Sequence, residues 1–334
     1  MRCTTPDDAD DVKHASKEID DILKDKNKLR AHSLVCSRAT KKYRRLVAVN
    51  CVSLKISPYE CFGLLGLNGA GKTSTIDMIV GNHMISQGEI YVKEFSVKSQ
   101  MKQCFQHIGF CPQNNTMFSY MTGRQMLRFT CLTSGMKKKF IKLTIGHLAA
   151  SFVLSKHLDQ KTKHYSAGTR RKLNIAMAVL ARTLVCLDEP TTGVDIIAKQ
   201  EIWLVLSDMR ELGRSLFLTS HNMQECEALC SCIAILVNGT LRCYGSVQQL
   251  KNRFNKGVSI KIQLATNDEM TQPREKYVYR GMVTIVIPDN ELKYSRIFTY
   301  MEQHRILLQI KHYAISQTSL EDIFMEFAHQ EEAE

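Results

Sequence analysis

The sequence predicts an α/β fold built on a mainly parallel sheet, followed by a smaller α+β unit. Three observations carry that prediction. Short apolar runs, Cys61 to Leu65, Leu184 to Leu187 and Ser215 to Ser220, have the length and continuity of strands buried on both faces. Each run ends in a polar turn, and the first of these turns is glycine-rich and leads into a helix-like stretch through Ile76, Ile79 and Val80. The 334 residues exceed the usual size of one domain, while 44% hydrophobic and 23% charged residues are ordinary for a globular chain.

Residues 1–33 are acidic and then mixed in charge, with one weak helical stretch from Ala15 to Leu29, and read as a linker. Asp7, Asp8, Asp10 and Asp11 stand where a signal peptide would need basic and then apolar residues, so an untargeted, cytosolic location is expected. From Leu34 strand-like runs begin, including Val47 to Ile56. The strand Cys61 to Leu65 then delivers Gly66-Leu67-Asn68-Gly69-Ala70-Gly71-Lys72-Thr73-Ser74, which fits the phosphate-loop pattern GxxxxGK(S/T) in its strand-to-helix context. Glycines let backbone N–H groups turn inward around phosphates. Lys72 can reach the terminal phosphates, the Thr73 hydroxyl can ligate Mg2+, and the helix start favours negative charge.

The second motif is Leu184-Val185-Cys186-Leu187-Asp188-Glu189, an apolar strand ending in two carboxylates. Downstream of a phosphate loop, Asp188 is the expected Mg2+ partner and Glu189 is placed to polarise a water attacking a γ-phosphate. A third run, Ser215 to Ser220, ends at His221, where an imidazole could hydrogen-bond that phosphate. The last third reads as strand, strand, helix, strand, helix: Val258 to Leu264, Val278 to Ile287, Tyr294 to Gln303, Ile306 to Ile315, then a final helix opened by a Thr318/Glu321 capping box.

No run approaches the roughly eighteen apolar residues of a membrane helix; the best, Leu143 to Leu154, carries His147 and follows Lys137, Lys138 and Lys139. Twelve cysteines without a CxxC pair suit free thiols, and the cluster His221, Cys226, Cys230 and Cys232 is assigned no metal. A net charge of +12 raises the question of nucleic acid. Lys and Arg run along the whole chain without an aromatic-interleaved motif, so anionic lipid or acidic loops are the expected counterpart and no specific nucleic acid is.

Between the loop and the acid pair lies Tyr165-Ser166-Ala167-Gly168-Thr169, which resembles the LSGGQ signature of the ATP-binding cassette family. Over about residues 34 to 329 the ordered set is similar to that family and, through 219–230 and 237–240, to the subfamily A transporters that move lipids and sterols. The resemblance implies a P-loop ATPase core with an antiparallel β subdomain and a helical signature subdomain. The domains would be 34–255 for the nucleotide-binding domain, with the helical part at about 115–178, and 256–334 for a small regulatory α+β domain.

It further implies that ATP lies against Tyr43, Gly66, Asn68, Gly69, Gly71, Lys72, Thr73 and Ser74, with Tyr43 stacked on adenine. Gln113 would sense Mg2+ and the attacking water beside Glu189 and His221. Ser166, Gly168 and Asp195 would act across a head-to-tail dimer with a second such domain. Implied partners are transmembrane domains at the cytoplasmic face of a membrane, docking around Phe118 to Leu127. Two departures stand out: Ala167 replaces a signature glycine, and Thr169 replaces Gln or Asn. GTPase and kinase readings lack a base-selecting NKxD. An ATP-gated regulator with weak hydrolysis, or a soluble non-transporter cassette, shares the remaining motifs.

Overall fold

Buried apolar runs become strands at the positions their composition dictates. In a computed structural model, residues 10–181, 183–254, 258–264, 282–287, 294–305, 307–308, 310–317, 320–321 and 324 are described. The chain divides into two units, Met1–Val247 and Gln248–Glu334.

In the first unit the order is α1 (Asp10–Leu23), α2 (Lys26–Ala31), β1 (Leu34–Tyr43), β2 (Leu46–Ile56), β3 (Cys61–Leu65), α3 (Lys72–Ile79), β4 (Gln87–Val92), β5 (Phe95–Ser96), α4 (Met101–Cys104) and β6 (Ile108–Cys111). It continues with α5 (Gly123–Thr133), α6 (Lys138–Ser151), α7 (Ala167–Ala178), β7 (Leu184–Asp188), α8 (Ile196–Glu211), β8 (Ser215–Ser220), α9 (Met223–Leu229), β9 (Cys232–Val237) and β10 (Thr240–Ser246). A six-stranded sheet runs β10-β9-β3-β8-β7-β6, parallel throughout except for the β9/β10 hairpin. An antiparallel sheet, β2-β1-β4-β5, packs its apolar face into the same core, in which Phe62 and Phe217 stack at 5.8 Å. Helices α5, α6 and α7 form the helical part.

The parallel order positions the site. β3, β8, β7 and β6 are consecutive neighbours, so the turns at their carboxyl ends, which carry the phosphate loop, His221, the acid pair and Gln113, open side by side. Ligand sites in open α/β sheets form at such strand ends.

The amino-terminal stretch expected as a linker is instead part of this unit. Two helices replace the single one anticipated, because Asp25 caps α2 by accepting from the Asn27 N–H at 2.8 Å. Val12, Ala15, Ile19 and Ile22 recur on one face of α1 and are buried, while Glu18 and Asp20 flank that face and pair with Lys55 and Arg38. Ile19→Ala is expected to cost about 3 kcal/mol by leaving a cavity at a fully buried site, read by denaturant unfolding. Ten described cysteines are free thiols, nine of them buried, whereas Cys51 is disulfide-bonded.

The second unit begins around α10 (Val247–Arg253) and contains β11 (Val258–Leu264), β12 (Met282–Ile287), α11 (Tyr294–His304) and β13 (Ile310–Gln317), in the antiparallel order β12-β11-β13. Ile260, Ile262, Ile297, Met301 and Ile310 make its core. β13 starts four residues later than the apolar run at Ile306 suggested. The Leu308 and Ile310 N–H groups instead close the end of α11 on the His304 and Arg305 carbonyls, both at 2.9 Å. Residues 278–281 and Thr318 of the expected capping box lie outside the described residues.

Candidate functional site

The phosphate loop follows from one backbone requirement. Gly71 caps α3 in the left-handed region at φ 104°, and a Cβ there would stand 2.3 Å from the Ala48 carbonyl oxygen. Conformation and space both demand glycine. Gly66 is buried, and Leu67, Asn68 and Gly69 lie exposed along the loop. Lys72 folds back across it: Nζ donates to the Gly66 and Leu67 carbonyls at 2.8 and 3.0 Å and lies 3.5 Å from Glu189 Oε1. Burial pushes its ammonium below the ordinary lysine value, against the pull of the Glu189 and Asp188 charges. Thr73 is exposed at the loop mouth and Ser74 half-buried behind it.

β7 delivers the two acids with different environments. Asp188 closes the strand, 2% exposed, and accepts from Thr219 Oγ1 at 2.5 Å and Thr73 Oγ1 at 3.1 Å. Burial raises its carboxyl above the usual aspartate range, and the two hydroxyls only partly offset this. Asp188 and Thr73 thus form a pair of hard oxygen donors beside a helix start, a set that fits Mg2+ completed by phosphate oxygens and water. Glu189 leaves the strand in the left-handed region at φ 45°, sparsely populated for a non-glycine residue. That turn aims its carboxylate at the loop.

Four side chains converge on this carboxylate. Lys72 and His221 Nδ1, at 3.3 Å, face Oε1; Gln113 Nε2 and Thr192 Oγ1 donate to Oε2 at 2.9 and 3.1 Å. Burial works to raise its pKa, but the His221 hydrogen bond and the Lys72 charge outweigh it and hold the group below the ordinary glutamate value. An ionised, oriented carboxylate of this kind can accept a proton from water. Gln113, expected also as a metal partner, donates its amide to Glu189 here.

The signature stretch forms a helix start. Ser166 caps α7, accepting from the Thr169 N–H at 3.1 Å. Ala167 is helical and outside the left-handed region, so its methyl group is compatible with the backbone there. Gly168 is buried, and a Cβ on it would meet Ala198 Cβ and Asp195 Oδ2, both at 3.2 Å. Asp195 in turn caps α8 by accepting from the Ala198 N–H at 2.9 Å. Tyr43 ends β1 with its ring edge-on to His83, centroids 5.5 Å apart, and with Lys41 Nζ 4.8 Å from its centre.

Three site residues escaped the sequence reading. Arg171, 2% exposed on α7, spends all five guanidinium donors on backbone carbonyls: Nε on Pro190 at 2.8 Å, Nη1 on Pro112 and Gln113 at 2.5 and 3.0 Å, Nη2 on Asp188 and Glu189 at 2.6 and 2.8 Å. Thr219 holds Asp188. Glu225, fully buried, accepts from Thr191 at 2.8 Å and Ser220 at 2.6 Å, tying the turn after β7 to the end of β8. Its position three residues after the capping Asn222 was the available signal. Cys226 and Cys230 are packed with Cys61 beneath β3, with Cys61 Sγ 3.8 Å from Cys230 Sγ. Among the described residues no group of three or more His, Cys, Asp or Glu is arranged to hold a metal.

A phosphate loop, an acid-bearing strand and a neighbouring His turn on a mainly parallel sheet define a P-loop nucleotide-binding ATPase domain. Residues 49–192 match the family model described as ABC transporter, so the chain carries an ABC transporter ATP-binding domain, and its curated relatives are subfamily A members. It is 35% identical over 336 residues to ATP-binding cassette sub-family A member 17 of Rattus norvegicus, covering 93% of this chain and 19% of that protein. With the phospholipid-transporting ATPase ABCA3 of Rattus norvegicus it shares 34% over 314 residues, 89% of this chain and 18% of the relative. The chain thus spans about a fifth of the length of the curated relatives it matches. The fold is also that of a solved ATP-binding subunit of an ABC transporter, at a TM-score of 0.62 and 23% identity, covering 66% of this chain and 92% of the other.

Proposed function

We propose that this domain binds MgATP and hydrolyses it at the interface of a head-to-tail pair of cassettes, driving lipid movement by transmembrane domains at the cytoplasmic face of a membrane. The convergence of Lys72, Gln113, His221 and Thr192 on the Glu189 carboxylate, beside the Thr73–Asp188 oxygen pair, carries this reading. Lys72 exchanges its carbonyl and Glu189 contacts for the β- and γ-phosphates as ATP enters, and the backbone N–H groups of 68–74 line the phosphates with the Ser74 hydroxyl. Tyr43 offers its ring to the adenine. Asp188 and Thr73, with Gln113 beside them, would hold Mg2+, which when bound would supply charge neutralisation at the phosphates.

Glu189, kept ionised and oriented by His221 and Gln113, takes the proton of the attacking water. Ser166 and the Gly168 amide, at the positive end of α7, face the γ-phosphate bound by the second domain, with Asp195 alongside. Relatives named for lipid transport support the cargo class, and the exposed Phe118 and Tyr120 near Gln113 support a docking surface for transmembrane domains there. The second unit is assigned a regulatory role on the same resemblance. Steady-state phosphate release with MgATP tests the reading: turnover should be abolished in Lys72→Ala, and its survival there would refute the phosphate role of Lys72.

The raised Asp188 carboxyl gives a pH dependence of definite sign. Metal ligation needs the carboxylate, and the folded protein takes up this proton at a higher pH than an ordinary aspartate does. Mg2+-dependent affinity for a non-hydrolysable ATP analogue should therefore weaken on acidification already at a pH above the usual aspartate range. Thr219→Val removes a hydrogen bond that favours the ionised form and should move the loss to higher pH, as read by titration calorimetry with and without Mg2+. An unchanged midpoint would free Asp188 of the metal role.

A further inference from the structure

The charge of this chain is not distributed as its lysines are. Residues 115–178 hold twelve Lys and Arg against one acid, Asp159, leaving thirty-three cations and thirty-two acids for the rest of the chain. Nearly the whole net charge of +12 therefore sits on the helical part. Within it, Asp159 is taken by Arg124 at 2.7 Å, Lys172 pairs with Glu201, and Arg171 is buried among carbonyls. Every lysine between 137 and 163 is exposed and, among the described residues, has no carboxylate within salt-bridge distance.

The densest part of this surface is the start of α6. Lys137, Lys138, Lys139 and Lys142 stand there with no acid in the first turn, although cations at the positive pole of a helix lower its stability. Fold stability therefore does not explain the cluster. Among these cations Phe140 is 48% and Leu143 63% exposed, one helical turn apart, while Ile141, Ile145 and Leu148 bury the opposite face. Lys139 Nζ lies 4.9 Å from the Phe140 ring centre. Exposed apolar groups ringed by unpaired lysines match a surface of anionic headgroups over acyl chains, since lysine heads meet the phosphates and carboxylates while the apolar groups enter the boundary.

We propose that this face of the helical part docks on an anionic lipid surface, with Lys137, Lys138, Lys139 and Lys142 on the headgroups and Phe140 and Leu143 inserted between them. The proposal rests on the reading of the chain as the cassette of a membrane transporter. Turnover measured on the same samples separates its failure from the failure of that reading.

The test floats the whole chain with phosphatidylcholine vesicles, with and without phosphatidylserine, at low and physiological salt. Binding should require phosphatidylserine and weaken with salt. Combining Lys137→Gln, Lys138→Gln and Lys139→Gln should weaken it about 100-fold, at roughly fivefold per lysine, with ATP turnover in solution unchanged. The control pair Lys26→Gln and Lys28→Gln should bind as the parent does. Phe140→Ser with Leu143→Ser should lower vesicle binding and leave binding to polyglutamate untouched. Equal binding to phosphatidylcholine alone, or indifference to the three lysine changes, would overturn the proposal. So would polyglutamate held as tightly as vesicles with no effect of the Phe140 and Leu143 changes, because the face would then dock an acidic protein.

Discussion

Glu189→Gln is expected to lower ATP turnover about 1,000-fold while leaving ATP affinity equal or higher, because the substitution removes a general base without changing side-chain volume. The direction of the affinity change follows from the site without nucleotide. The Glu189 carboxylate lies 3.5 Å from Lys72 Nζ and competes with phosphates for that ammonium. A neutral amide competes less. The held ATP should then keep paired domains together, so the variant should run as a dimer in MgATP and the parent only transiently. Single-turnover quench kinetics and gel filtration read the two effects. A rate within tenfold of the parent would place water activation on another group.

Arg171→Lys is expected to lower kcat about 100-fold with little change in KM. The guanidinium joins three separate segments: the Pro112–Gln113 turn, the Asp188–Glu189–Pro190 turn and its own signature helix. A lysine has three donors on one atom and cannot reach carbonyls on both turns. The Glu189 peptide, already held at φ 45°, would lose one of its fixings, and the carboxylate would drift from its water-activating position. Arg171→Met should also destabilise the fold by about 3 kcal/mol through unsatisfied carbonyls. Stability alone does not decide the role, so the informative measurement is coupling. With Gln113→Ala present, Arg171→Lys should cost much less in kcat than it does alone, because both act on one carboxylate. Additive losses, or a lowered melting temperature with kcat intact, would reduce Arg171 to a packing residue.

Much of the architecture is legible in the sequence, for identifiable reasons. β3, β8 and β11 begin and end where the sequence places them, β3 and β8 because a strand buried on both faces reads as a near-continuous apolar run, and β11 because its buried Ile260 and Ile262 alternate with polar residues such as the exposed Gln263. The phosphate loop and acid pair are legible because their chemistry fixes residue types at short spacing. α1 was hidden by composition: its four buried apolar residues alternate with enough acid and lysine to read as linker, and only the neighbouring strands reveal what they cover. Arg171 and Thr219 were hidden for a different reason. Their partners are carbonyls and a carboxylate far away in the chain, and an arginine on a helix or a threonine at a strand end carries no local mark of that. The tolerance of Ala167 depends on a backbone angle, which a residue name does not state.

The central claim is that one domain's phosphate loop works with another domain's signature. Mixing two disabled chains tests it most directly: Lys72→Ala, which retains its signature, and Gly168→Asp, which retains its phosphate loop. Each alone should be inactive. Mixed in equal amounts they should recover about a quarter of the parent rate, because half of random pairs are mixed and each mixed pair holds one complete site of two. A parent rate per molecule that is independent of protein concentration, with no recovery on mixing, would contradict the head-to-tail account.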